Sequence, residues 1–380
     1  MKIRNRNISV GHLFVKWFVV ILAGSHPLNN KVFAQDTIKT NQTITTSTRK
    51  PEETITSPPS LSSLLTQTVV FIYEDKTPQN STSSVPGRVL GTAFIVGVPL
   101  PEFPELQVPF IVTAKHVLAD STKVMGRFTT ASGGEPAFAS YDLNALRQSG
   151  DLWEYPNDEG VDIVIFRTVF FQGIKMLPIP LNMLASKDTF VQEQIDVADR
   201  IVIPCLMGNY PGITKNYPIF RDGSIALINE EPIAFSWNYG SKKINTRQRM
   251  IFVNSTLNEG FSGAPAFLWP GIKLTSKGTV IGGKPILIGI VHGFFPQYRP
   301  IIDTEGEPVI LKKQSPGVLG QLNPARDVPV ISQENSATGI LFPSWQILDI
   351  LQTDSVKKRV QEIAEEEKKK RENKLDKKDN

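Results

Sequence analysis

Residues 89–117 read VLGTAFIVGVPLPEFPELQVPFIVTAKHV. Two runs of β-branched and aromatic residues flank a Pro-rich connection, the pattern of two strands joined by a turn. The same kind of unit recurs along most of the chain. TVVFIYE, VDIVIFR, RIVIPCL, GSIALI, RMIFVNS, PILIGIV and TGILF are short runs rich in Val, Ile and Phe. Each is bounded by Gly, Pro, Asn or Asp, so an all-β assembly of sandwich or barrel type is predicted. Amphipathic helical patterning between the runs is scarce, which argues against alternating βαβ units. The first convincing helix starts near Pro343-Ser344. Trp345, Ile347, Leu348 and Leu351 supply its apolar face, and Ser344 stands where a cap is expected.

The chain has 380 residues, 40% of them hydrophobic and 21% charged, with one Cys. That is material for one large domain or two small ones. It excludes a disulfide-stapled miniprotein, a collagen-like chain and a wholly disordered chain. The net charge of +4 belongs to the ends: residues 1–34 carry five Lys/Arg and no acid, and residues 355–380 carry ten Lys/Arg against seven Asp/Glu. The body between them is net acidic, so nucleic acid is not an expected partner. Cys205 cannot form an internal disulfide. Its neighbours Ile201, Val202, Ile203 and Leu206 predict a buried, inert thiol.

Lys2, Arg4, Arg6 and Lys16 precede the apolar run WFVVILAG, and Val32-Phe33-Ala34 offers small residues for cleavage after Ala34. Residues 1–34 therefore read as a secretory signal peptide, and the expected location is secreted or periplasmic. Eight apolar residues span roughly 12 Å as a helix, short of the ~30 Å hydrocarbon core, so no stable membrane insertion is expected after cleavage. No Cys follows the run to take a lipid. Residues 35–60, rich in Thr, Ser and Pro, read as a flexible linker. In residues 355–380, Glu365–Lys369, Glu366–Lys370 and Glu367–Arg371 are spaced for a helix. This tail reads as a solvated helix or a disordered segment, with partner contact through it as the alternative. Residues 296–335 read as a long polar, Pro-rich loop.

Of four histidines, His12 and His26 leave with the signal peptide. Imidazole chemistry must then use His116 or His292. A three-His metal site is impossible and no paired Cys exists, so no metal or organic cofactor is expected. His116 ends an apolar strand in PFIVTAKHVL. NEGFSGAPAF places Ser262 between Gly260 and Gly263, where the backbone can bend tightly and converge its N–H groups. Asp162 opens an apolar run and lies near the core, where it needs donors. Asp151, Asp158 and Glu159 compete for the acid role, but none begins an apolar strand. A Ser hydroxyl needs an imidazole to take its proton, and the imidazole needs a carboxylate to fix its tautomer.

GTAFIVG, FIVTAKHV, VDIVIF, RDGSIA, EGFSGAPAF and LIGIV together resemble the trypsin-like (chymotrypsin-fold) serine peptidases, in particular their disulfide-free bacterial branch. The likeness spans about residues 65–352. The resemblance implies two antiparallel six-stranded β-barrels over residues 61–190 and 191–343, closed by a helix to residue 354. It implies an endopeptidase acting on polypeptide substrates through an acyl-enzyme. Ser262 would be the nucleophile, His116 the base and Asp162 its orienting acid, with the backbone N–H groups of Gly260 and Ser262 as oxyanion hole.

The chain departs from the digestive relatives at Phe261, where they hold an Asp that pairs with a newly cut N-terminus. Activation by such a cut is not expected here. Thr256 falls at the base of the implied specificity pocket, and its lack of charge argues against a preference for Lys or Arg. His292, in GIVHGF, falls near the pocket-lining strand, either to meet an acidic substrate side chain or as an ordinary strand residue. Three rivals stand beside this reading. One is a catalytically silent trypsin-like fold acting as a protein-binding module. Another is an α/β-hydrolase esterase, which wants GxSxG where this chain has Ala264. The last is a scaffold working through its tail.

Overall fold

The computed structural model describes residues 60–78, 85–207, 210–275, 278–302, 309–313, 326–329 and 331–376. The leader 1–34 expected from the sequence, all but Ser60 of the linker and the last four residues lie outside the described residues. No described helix is long and apolar enough to cross a membrane.

All nine apolar runs read from the sequence fall in or at strands. The first sheet holds β1 Val69–Asp75, β2 Pro86–Pro99, β3 Gln107–Thr113, β4 Lys123–Thr130, β5 Ala137–Asp142, β6 Leu152–Glu154 and β7 Val164–Arg167. Two short strands, β8 Ile174–Lys175 and β9 Ile179–Pro180, pair with β4 and β2. Its order is β5-β4-β1-β2-β3-β7-β6, nine strands in all, curled into a half-barrel rather than closed with six.

The second sheet closes. It joins β10 Arg200–Cys205, β11 Ile219–Ile228, β14 Ile251–Asn254, β15 Pro265–Leu268, β18 Ile286–Pro300 and β21 Ile331–Pro343 in the barrel order β10-β11-β14-β21-β18-β15. Three hairpins stand outside it: β12 Ile233–Tyr239 with β13 Lys242–Gln248, β16 Gly271–Thr275 with β17 Gly278–Gly282, and β19 Ile310–Lys313 with β20 Arg326–Pro329. Residues 296–335, expected as a loop, thus contain paired β-structure. The β18–β21 ladder runs out to Pro300 opposite Ile331, and β19–β20 follows beyond it.

Successive side chains of a strand face opposite sides, and here both sides are buried. Ala93 and Ile95 of β2 pack inside the first sheet with Ile72, Ile111 and Phe166, while Phe94 and Val96 turn outward. On β10, Ile201, Ile203 and Cys205 fill the closed barrel, and Val202 turns outward. The outward residues meet in one cluster between the two sheets. It includes Phe110, Phe267, Leu287, Ile290 and Phe342, and the helix Ser344–Leu351 caps it with Ile347 and Ile350. Cys205 is buried, and burial pushes its thiol up and out of reactive range.

The charged tail forms a helix, Asp354–Asp376, and it is docked rather than free. Val356, Val360 and Ala364 recur every fourth residue, one stripe of the helix, and enter the central cluster. Arg359 donates to both carboxylate oxygens of Asp151 at 2.8 and 3.3 Å, beside Arg167. Further along, Arg371 lies 4.2 Å over the Phe103 ring and donates to Glu105 at 3.2 Å. Replacing Val360 with Asp puts an unpaired carboxylate in this cluster, with an expected stability loss of about 2–4 kcal/mol. Calorimetric unfolding of the V360D chain checks it; an unchanged Tm means the helix is not part of the core.

Candidate active site

Strand register brings the first two candidates together. β3 and β7 pair antiparallel with Thr113 opposite Val164. His116 follows Thr113 by three residues, on the short 3-10 helix Lys115–Leu118, and Asp162 precedes Val164 by two. Both therefore sit at the same end of the sheet. Ser262 comes from the closed barrel, in the turn before β15. Pro265 pairs with Ile290 of β18, which sets His292 beside the Ser262 turn. Gly263 N–H donates to Val291 O at 2.8 Å and Val291 N–H to Ala264 O at 2.9 Å.

Thr92 of β2 stitches this turn to the first sheet. Its N–H donates to Ser262 O at 2.9 Å, its hydroxyl donates to Gly260 O at 2.6 Å, and it accepts from Leu206 N–H at 3.0 Å. Gly263 has φ +84, and a Cβ there would stand 2.0 Å from Thr92 O. Only glycine fits so close a crossing. The N–H groups of Gly260 and Ser262 have no partner among the described residues, which leaves two donors open in one turn.

Asp162 is fully buried. Its Oδ1 accepts the His116 backbone N–H at 2.9 Å, and its Oδ2 faces His116 Nδ1 at 2.6 Å. The same Oδ2 also faces Nδ1 of His292 at 2.5 Å. Burial would raise the Asp162 carboxyl, but the His116 and His292 imidazoles and their hydrogen bonds outweigh it and hold the group ionised, well below the ordinary carboxylate range. With the carboxylate ionised, both Nδ1 atoms carry protons, and Nε2 of each ring is left as acceptor. Burial works to lower His116, yet the charge and hydrogen bond of Asp162 prevail and its pKa lies above the free imidazole value. For His292 burial wins, helped by the neighbouring His116, and it stays neutral.

The Ser262 hydroxyl donates to His292 O at 3.0 Å, and among the described residues no hydrogen bond joins it to His116. His116 and Asp162 are thus paired directly, and Ser262 reaches them only through His292, with its hydroxyl resting on that residue's carbonyl. Other acids are committed elsewhere: Asp151 to Arg167 and Arg359, Asp158 to Gln248, Glu159 to Lys242. Thr256 is exposed. His292 turns its Nδ1 to Asp162, a partner 130 residues away that nothing in its local sequence announces.

Among the described residues, His116, Asp162 and His292 are the group whose donor atoms converge closely enough for a metal ion. The separations of 2.6 and 2.5 Å are hydrogen-bond lengths, whereas two ligands on a tetrahedral zinc stand roughly 3.3 Å apart. The geometry suits shared protons better than a shared ion.

Sequence reading also passed over the β12–β13 hairpin. Trp237 lies 6.3 Å from the His116 ring and 5.8 Å from the His292 ring, and Phe235 lies 5.0 Å from His292. Trp237 is anchored by donating Nε1–H to Gly160 O at 3.3 Å. The alternation Phe235-Ser-Trp237-Asn-Tyr239, aromatic on every second residue, is the signal that marks this face.

No protein-family model matches the chain, and no curated protein matches it. Solved structures do. The MamO protease domain of Magnetospirillum magneticum, apo form, is similar at 11% identity over 77% of this chain and 100% of that one, with a TM-score of 0.38. The HtrA-type protease AlgW, with a decapeptide, matches at 13% identity over 77% of this chain and 67% of its own, TM-score 0.38. The Rv3671c protease of M. tuberculosis in its active form matches at 12% identity over 76% and 82%, TM-score 0.34. The present chain's own topology is a closed six-stranded barrel beside a curled half-barrel sheet.

Asp162→Asn removes the charge that raises His116 and leaves the burial that lowers it. The His116 titration, followed by imidazole NMR, is expected to move from above the free-imidazole value of about 6.5 to below it. An unmoved midpoint means the pairing is not electrostatic.

Proposed function

We propose that the chain is an exported serine endopeptidase. The observation that carries this reading is the His116–Asp162 pair, linked through His292 to a Ser262 turn whose two N–H groups have no partner among the described residues. Each part has a chemical task. Asp162 fixes His116 with its proton on Nδ1, so that Nε2 can accept. Catalysis requires the Ser262 hydroxyl to leave the His292 carbonyl and turn to that base. Serine then attacks a peptide carbonyl, His116 returns the proton to the leaving amine, and water hydrolyses the acyl-enzyme. The open N–H groups of Gly260 and Ser262 suit the oxyanion formed in both halves.

A second reading is favoured by one observation. The resting Ser262 hydroxyl is bonded to His292 O, not to His116, as in a catalytically silent fold that binds protein. Labelling with an active-site serine phosphonate separates the two. The peptidase is expected to label at Ser262, to lose the label in Ser262→Ala, and to lose about 10⁴-fold or more in kcat in Ser262→Ala or His116→Ala. An unlabelled, folded chain supports the binding module instead. For export, N-terminal sequencing of the secreted chain should find Gln35 first; a retained Met1 overturns the leader.

A further inference from the structure

His292 lies outside the three roles just proposed, yet it touches both ends of the constellation. Its Nδ1 is 2.5 Å from Asp162 Oδ2, and its carbonyl accepts the Ser262 hydroxyl at 3.0 Å. Among the described residues it also gives Asp162 its only hydrogen bond from the closed barrel, since the others come from Lys115 and His116 beside the first sheet. We propose that His292 is a positioning residue: its Nδ1–H locks the Asp162 carboxylate from the second barrel and divides that carboxylate's charge between two imidazoles. The catalytic consequence rests on the peptidase reading; the electrostatic one rests on geometry alone.

Oδ2 offers two lone pairs, and each meets one Nδ1, while Oδ1 is taken by the His116 backbone N–H. A carboxylate so engaged cannot turn about its last torsion without breaking a buried hydrogen bond. A neutral N–H donor on the same oxygen as His116 also makes that oxygen less basic. The imidazolium that forms on His116 is then held less strongly than by an unshared carboxylate, which keeps the base closer to neutrality.

Two features make His292 the right donor. Burial keeps it uncharged, so it contributes a dipole and does not compete for the proton. Rings of Phe235, Trp237 and Phe342 surround it at 5.0, 5.8 and 5.5 Å, and only 11% of its side chain is exposed. Water therefore cannot readily replace its N–H. Three charged groups on neighbouring elements are engaged elsewhere: Lys115 with Glu154 at 2.7 Å, Lys242 with Glu159 at 2.6 Å, and Asp158 with Gln248 at 2.7 Å. Asp162 is the carboxylate bonded to His116, and His292 is bonded to that same oxygen.

The test compares His292→Phe, a ring without a donor, with His292→Asn, whose amide nitrogen stands near the position of Nδ1. In a Ser262→Ala background, followed by imidazole NMR, H292F is expected to raise the His116 midpoint by roughly half a unit to one unit, and H292N to restore most of it. With Ser262 present, H292F is expected to lower kcat about tenfold or more, leave KM within about twofold, and move the acid limb upward by the same amount. His292→Leu takes the same reading should H292F fail to fold. A His116 midpoint that stays put or falls in the donor-free variants overturns the proposal. So does stoichiometric zinc retained by the wild-type chain and lost in H292F, which would give the three donor atoms to an ion. If Ser262 takes no phosphonate, the peptidase reading fails while the NMR arm still decides this one.

Discussion

A single buried carboxylate governs the architecture at the junction of the two sheets. Taking Asp162 out of water costs several kcal/mol unless donors replace its hydration. Here three N–H groups do so, from His116 twice and from His292 once. Those donors come from the first sheet and from the closed barrel. The charge is tolerable only when both parts of the fold are in place. Stability and site geometry are therefore one condition, and a shift of register between β3 and β7 would break both.

The same coupling appears at Thr92. One residue of β2 holds Ser262 O, Gly260 O and Leu206 N–H. With its backbone fixed from outside, the Ser262 turn keeps two N–H groups without a partner among the described residues. Gly263 is the geometric counterpart, since the crossing leaves no space for a side chain. Lys115 adds a third tie, paired to Glu154 and lying 5.3 Å over the Tyr239 ring of the β12–β13 hairpin. The hairpin and the half-barrel thus frame His116 from two sides.

The barrel strands were legible because most bury both faces, which turns period-two alternation into continuous runs such as FIVT and RIVIPC. Strands with one wet face were not. β12 and β13 read IAFSWNY and KKINTRQ, half polar, and no apolar run marks them. β4 escaped because Gly126 and Arg127 interrupt the apolar pattern of its buried run, and β5 because it is mostly half-buried. His116, Asp162 and Ser262 stood out because each sits against an apolar run or between glycines. The tie from His292 to Asp162 did not, because a contact across 130 residues is written in strand order and not in local pattern. Charge misled in the tail: three small apolar residues at four-residue intervals outweigh its polar majority once a barrel flank is there to receive them. In 296–335, prolines read as loop punctuation although the backbone pairs over much of that stretch.

That docked helix also orders events during synthesis. Asp151 meets Arg359 across 208 positions, and Glu105 meets Arg371 across 266. The flank of the half-barrel is sealed by residues made more than 200 positions later. Contacts of such sequence separation form late because the intervening chain must first give up its freedom. A nascent chain arrested before residue 354 carries an uncovered apolar flank on its half-barrel.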